Sequence, residues 1–134
     1  TGNRFEPGKS PMSTMAPTMV FNEEGDLMLI TGSPGGSLIP AAILRVITGV
    51  VDFNLDIGQA TMLPRVHKDW PTTGILYERT LNSDVVRIIN KTIGHKMTPE
   101  HTMGSTQSIH IINGTNYGFA DLRRPNASVS IQTN

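Results

Sequence analysis

The chain has 134 residues, with 11 basic and 11 acidic side chains and no cysteine. That length suits one domain burying about two-thirds of its unfolded surface, and zero net charge supplies no field to draw it to nucleic acid or an anionic membrane. The absent cysteines exclude disulfides and thiolate metal sites, while a charged fraction of 16 %, against about 25 % in an ordinary domain, predicts a surface partly covered by something else.

Residues 1 to 12 are polar, carry Pro7, Gly8 and Pro11, and read as an irregular loop. Strand character begins within 14 to 22, at Thr18-Met19-Val20-Phe21. Asn22-Glu23-Glu24-Gly25 supplies a turn, and a second strand follows over 26 to 31. This hairpin delivers Thr31-Gly32-Ser33-Pro34-Gly35-Gly36-Ser37. Next comes the most apolar stretch, Leu38 to Phe53, interrupted by Arg45 and, at about 16 residues, too short for a membrane span. It predicts a buried helix with Ser37 as N-cap and Pro40 in the first turn.

Asn54 is the expected cap of a short helix over 55 to 62 that stops at Pro64. Residues 75 to 80 predict a strand. Asn82 or Ser83 opens a helix whose apolar face is Val85, Val86, Ile89 and Ile93, closed by Gly94. Strands over 108 to 112 and 115 to 120 flank Asn113-Gly114, the strongest short hairpin signal in the chain. Roughly five strands and three helices, with helices following strand pairs, predict an α+β or layered α/β fold.

Three readings fit the glycine loop between strand and helix. It is a turn that needs glycine, a phosphate cradle, or an oxyanion hole in which adjacent N–H groups point at a carbonyl oxygen under attack. A phosphate cradle lacks support, because the loop has neither the Lys-Ser/Thr of a P-loop nor the G-x-G-x-x-G spacing. Upstream, Ser13 and Thr14 form a hydroxyl pair fenced by Pro11, Met12, Met15 and Pro17. Such a pair caps local backbone or holds a carboxylate without adding charge.

Several blocks in order narrow these choices. Pro7-Gly8-Lys9-Ser10-Pro11-Met12-Ser13-Thr14-Met15-Ala16-Pro17 is followed by Gly32-Ser33-Pro34-Gly35-Gly36-Ser37, then by Ala60-Thr61-Met62-Leu63-Pro64-Arg65-Val66-His67. Met103-Gly104-Ser105-Thr106-Gln107-Ser108-Ile109 and Tyr117-Gly118-Phe119-Ala120-Asp121-Leu122-Arg123 complete the series. From about Glu6 to Arg124 the chain resembles the gamma-glutamyltransferases. The resemblance implies an N-terminal-nucleophile hydrolase of αββα build, cut from one precursor into a large and a small subunit. It also implies cleavage of the gamma-glutamyl amide of glutathione or a related compound, with water, an amino acid or a peptide as acceptor. On these positions Ser13 and Thr14 would hold the alpha-carboxylate of the glutamyl group, and the Gly35 and Gly36 N–H groups would bind the oxyanion.

The family's usual Ser-Ser is Ser13-Thr14 here, Ser10 stands where a basic residue or Gln often lies, and Met12 replaces a leucine. Thr1 is not the expected nucleophile, because the family's nucleophile opens a Thr-Thr-His-x-Ser strand, whereas Gly2-Asn3-Arg4 follows Thr1. The resemblance therefore implies the C-terminal part of a small subunit, a single partial domain over 1–134. Its expected partners are the large subunit and the N-terminal part of the small one, in a periplasmic or extracellular setting. A poly-gamma-glutamate (capsule) depolymerase of the same superfamily and a non-catalytic glutamyl-binding module are the alternatives. His67, His95, His101 and His110 lack ligand spacing, so neither metal nor cofactor is expected. Trp70 is expected to pack, and Asp121 and Arg123 to pair with each other.

Overall fold

The computed structural model describes residues 4–71, 74–130 and 132. Alternation and the Asn22–Gly25 turn form the first hairpin, β1 (Thr18–Phe21) and β2 (Leu27–Gly32). The Asn113-Gly114 turn forms the last, β6 (Gln107–Ile112) and β7 (Thr115–Ala120). The hairpins join through β2 and β6 into one antiparallel sheet of order β1-β2-β6-β7. A buried hydroxyl pair, Thr31 Oγ1 and Ser108 Oγ at 2.8 Å, ties the two strands across that seam.

Two helices cover one face of the sheet. α1 (Ile39–Val51) follows a 3-10 turn over Gly36–Leu38, and α2 (Ile57–Met62) lies beside it. Leu29, Val46, Val50, Ile57 and Ala60 form the core between helices and sheet, and each large apolar side chain buried there stabilises the fold by about 1.5–3 kcal/mol. Gly49 is the contact point of the helices. A Cβ there would stand 2.9 Å from the Ala60 Cβ, so any side chain would push α2 off the core.

A smaller sheet, β3 (Val66–His67), β4 (Gly74–Glu78) and β5 (Lys96–Glu100), has the order β3-β4-β5. β4 and β5 run parallel, joined through α3 (Ser83–Ile88) and a π-helical turn over Ile89–Ile93.

The α+β expectation holds, with several corrections in detail. Ser37 lies inside the 3-10 turn and caps nothing; the N-cap position of α1 is Leu38, with no side-chain bond. Asp56, not Asn54, caps α2. Its carboxylate accepts from the Gln59 N–H while the Gln59 side chain accepts from the Asp56 N–H, and Asn54 takes a positive φ of 51° in the linker. Asn82 does cap α3, but that helix buries no residue, and Val85 and Ile93 of its expected apolar face are exposed. β3 and β5 add to the predicted strands. Trp70, expected to pack, is 93 % exposed.

The chain exposes 9466 Å², whereas a folded monomer of its 14.6 kDa mass exposes roughly 6,900 Å². Part of the excess is apolar: Leu44 and Phe53 at and beyond the outer side of α1, and Met19 and Ile109 on the sheet. Expressed alone, residues 1–134 should bind a hydrophobic dye strongly and show weak near-ultraviolet dichroism. A dye-silent monomer with a sharp cooperative melt would contradict this.

Candidate active site

The loop from β2 to α1 turns through two glycines. Gly35 has φ 141° and Gly36 has φ 58°, left-handed values that side chains resist. Both residues are exposed. The Gly35 carbonyl accepts from the Leu38 N–H at 3.1 Å, and among the described residues neither glycine N–H meets an acceptor. These donors stand at the entry to the 3-10 turn and the 13 residues of α1, whose aligned peptides favour negative charge at that end.

The Ser13–Thr14 pair lies beside this loop. Thr14 Oγ1 donates to the Gly36 carbonyl at 2.8 Å across 22 positions of sequence. Ser13 Oγ accepts from the Met15 N–H at 3.3 Å, which leaves its own proton without an acceptor among the described residues. The pair is asymmetric: one hydroxyl is tied into the glycine loop and the other has a proton to donate.

Behind the loop runs Met103-Gly104-Ser105-Thr106. Ser33 Oγ accepts from the Ser105 N–H at 3.0 Å and donates to the Pro34 carbonyl at 2.7 Å. This irregular segment is held by buried charges. Glu78 Oε1 accepts from the Met103 N–H at 2.9 Å, and Arg65 Nη1 donates to the Met103 carbonyl at 2.8 Å. Asp121 Oδ2 accepts from the Thr106 N–H and from Arg65 Nη2, each at 2.8 Å.

Arg123 closes the cluster. It donates to Glu78 Oε2 at 2.6 Å, to Asp121 Oδ1 at 3.2 Å, and to the carbonyls of Thr61 and Leu63 at the end of α2. Arg65 and Asp121 are 1 % and 0 % exposed. Burial alone would raise the Glu78 and Asp121 pKa values, but hydrogen bonds from Arg123, Arg65 and backbone N–H groups hold both below the usual carboxylate range. Burial lowers the Arg65 pKa, whereas for Arg123 the opposing pull of Glu78 and Asp121 exceeds the effect of burial and raises it.

Comparison with known proteins now bears on this geometry. The gamma-glutamyltranspeptidase family profile matches residues 1–131. The chain belongs to the gamma-glutamyltranspeptidase family. It is 36 % identical over 122 residues to the glutathione hydrolase proenzyme of Escherichia coli (strain K12), covering 90 % of this chain and 21 % of that protein. It therefore spans about a fifth of that relative's length. The Helicobacter pylori gamma-glutamyltranspeptidase T380A mutant superposes with a TM-score of 0.83 at 32 % identity, covering 92 % of this chain and 68 % of that one. The Bacillus anthracis transpeptidase enzyme CapD, at 22 % identity, 95 % and 75 % coverage and a TM-score of 0.75, shares the fold. The α+β build is that of the N-terminal-nucleophile hydrolases, the gamma-glutamyltranspeptidases among them.

Within this member of the gamma-glutamyltranspeptidase family, Gly35, Gly36 and Thr14 come together, with Ser13 next in chain. Thr1 lies outside the described residues. No cluster of His, Cys, Asp and Glu suited to a metal occurs among the described residues. Asp121 and Arg123 do pair, as expected, but the Arg65 and Glu78 partners were not anticipated. Their signal was a lone charge in an apolar setting: Glu78 ends the strand Ile75-Leu76-Tyr77, and Arg65 follows the proline that stops α2.

In the intact protein Arg65→Met leaves Asp121 short of a partner and should cost about 3–5 kcal/mol, read by urea unfolding. Because the folded carboxylate pKa values are depressed, the cluster's contribution is complete above the ordinary value of about 4 and fades as pH falls through the lower folded values. The gap between wild type and variant should therefore narrow below about pH 4. A gap that stays constant into acid would show that the charges are not its source.

Proposed function

We propose that this chain is the C-terminal part of the small, catalytic subunit of a gamma-glutamyltransferase (glutathione hydrolase). It supplies the oxyanion donors and the alpha-carboxylate pocket. A threonine from a segment outside this chain attacks the gamma-amide carbonyl carbon. As the Oγ–C bond forms, negative charge gathers on the carbonyl oxygen, where the Gly35 and Gly36 N–H groups receive it. The C–N bond then breaks, and the proton given up by the hydroxyl leaves on the amine. Water, an amino acid or a peptide takes the glutamyl group from the enzyme in the second half of the cycle.

One observation carries the reading: the 2.8 Å bond from Thr14 to the Gly36 carbonyl joins the hydroxyl pair and the glycine pair in one place. A gamma-glutamyl group needs both at once, a pair of hydroxyl donors for its alpha-carboxylate and two N–H groups for its carbonyl oxygen. Ser13 is the first donor to the carboxylate, and Thr14 joins by turning from Gly36. The proenzyme name of the E. coli relative and the surface left open on α1 and the sheet support the remaining small-subunit segment and the large subunit as partners. A periplasmic or extracellular setting belongs to the same reading. No helix among the described residues is long and apolar enough to cross a membrane.

Two substitutions in the full-length protein test the reading. A hydrogen bond to a charged group contributes about 1.5–3 kcal/mol, so Ser13→Ala should lower kcat/KM for a gamma-glutamyl anilide roughly ten- to a hundredfold. The 4-aminobutyryl anilide, which keeps the amino group but lacks the alpha-carboxylate, should be poor with wild type and barely worse with the variant. Equal losses on both substrates would place the carboxylate elsewhere. Gly36→Val should reduce kcat on the order of a hundredfold, as loss of an oxyanion donor does. A folded variant within about twofold of wild type would return the loop to an ordinary turn.

A further inference from the structure

We propose that Ser33 is a positioning residue that aims the Gly35 N–H at the oxyanion, and that Gly104 is the surface against which it is held. The inference rests on reading Gly35 and Gly36 as oxyanion donors. A peptide unit is planar, and the Pro34 carbonyl and the Gly35 N–H belong to the same unit. The Pro34–Gly35 bond is trans, so fixing the carbonyl on one side fixes the N–H pointing away on the other. Ser33 Oγ does this fixing, donating to the Pro34 oxygen at 2.7 Å. A carbonyl that accepts a hydrogen bond also polarises its own N–H into a stronger donor.

The next peptide is treated alike by a different group. The Gly35 carbonyl accepts from the Leu38 N–H at 3.1 Å, which orients the Gly36 N–H. Backbone within the 3-10 turn holds one donor, and a side chain holds the other. Only the Gly35 donor therefore takes its orientation from a side chain, Ser33.

Ser33 is itself fixed from behind. Its oxygen accepts from the Ser105 N–H at 3.0 Å, and Ser105 follows a glycine in a left-handed conformation, Gly104 at φ 76°. A Cβ on Gly104 would stand 2.6 Å from Ser33 Oγ, 3.0 Å from the Pro34 oxygen and 3.2 Å from the Ala42 Cβ. Gly104 thus leaves room for the seryl oxygen and the peptide it orients. Met103 and Thr106, on either side, are pinned by Glu78, Arg65 and Asp121, so the surface behind Ser33 does not yield.

The test is steady-state hydrolysis of gamma-glutamyl p-nitroanilide by the full-length protein. Losing an oxyanion donor costs about 10²–10³ in kcat, and misdirecting one should cost roughly ten- to a hundredfold. Ser33→Ala should show that loss in kcat with KM within about twofold, because the donor acts on charge present only in the transition state. Ser33→Thr keeps the hydroxyl and should recover most of the rate. Gly104→Ala presses on the same oxygen from the other side and should reproduce the kcat-only loss, which covers the case in which Ser33→Ala does not fold. Wild-type cleavage with Ser33→Ala kcat within about twofold would overturn the inference alone, as would equal losses in the Ala and Thr variants. A wild-type protein that does not cleave the anilide would overturn the proposed function and this inference together.

Discussion

Arg65, Glu78, Asp121 and Arg123 share one buried site, and the geometry of the glycine loop depends on it. Taking such charges out of water costs several kcal/mol each, and only close pairing with further hydrogen bonds offsets that cost. Here the pairing is close, at 2.6 to 3.2 Å between charged groups. The Arg65 Nε donor is buried without a partner among the described residues, while most of the other spare donors and acceptors reach Thr61, Leu63, Met103 and Thr106. Those atoms lie at a helix end and in an irregular segment, where backbone groups have no ladder to satisfy them. An apolar core of equal volume would fill the space but leave those groups orphaned, which is the physical reason for forked guanidinium groups at this place.

From that cluster a chain of contacts leads outward to the glycine loop. The pinned Met103–Thr106 segment presents Gly104 and Ser105, Ser105 holds Ser33, and Ser33 holds the peptide that carries the Gly35 N–H. Each link is a backbone group or a short side chain, so little freedom enters between core and loop. An oxyanion site works through donors already aimed before charge develops. With Gly35 as the proposed oxyanion donor, its fixed orientation would serve the reaction, and the contacts that fix it run back to residues buried well behind it.

Much of this was legible in the sequence where the signals are local. The Asn22–Gly25 and Asn113-Gly114 turns mark both hairpins, and the apolar run after Ser37 marks α1. The glycine pair and the hydroxyl pair stood out by composition. Contacts set by distant chain were not legible. Arg65 and Asp121 are 56 positions apart, and Arg123 and Glu78 45. β5 carries Pro99, which argues against a strand, yet β5 is the edge of its sheet, where proline is tolerated. Asp56 displaced Asn54 as cap because Gln59 stands three residues on and completes the reciprocal pair. The asymmetry between Ser13 and Thr14 depends on where Gly36 lies in space, and no spacing rule gives that.

The central claim is that Gly35, Gly36 and Ser13 face one glutamyl group. The most direct measurement is a crystal structure of the full-length protein trapped as a covalent glutamyl analogue. The account predicts the analogue's carbonyl oxygen within about 3.1 Å of the Gly35 and Gly36 nitrogens, an ordinary hydrogen-bond distance. It also predicts an alpha-carboxylate oxygen in hydrogen-bond reach of Ser13 Oγ. A trapped carbonyl oxygen beyond about 4 Å from both nitrogens, outside any hydrogen bond, would contradict it.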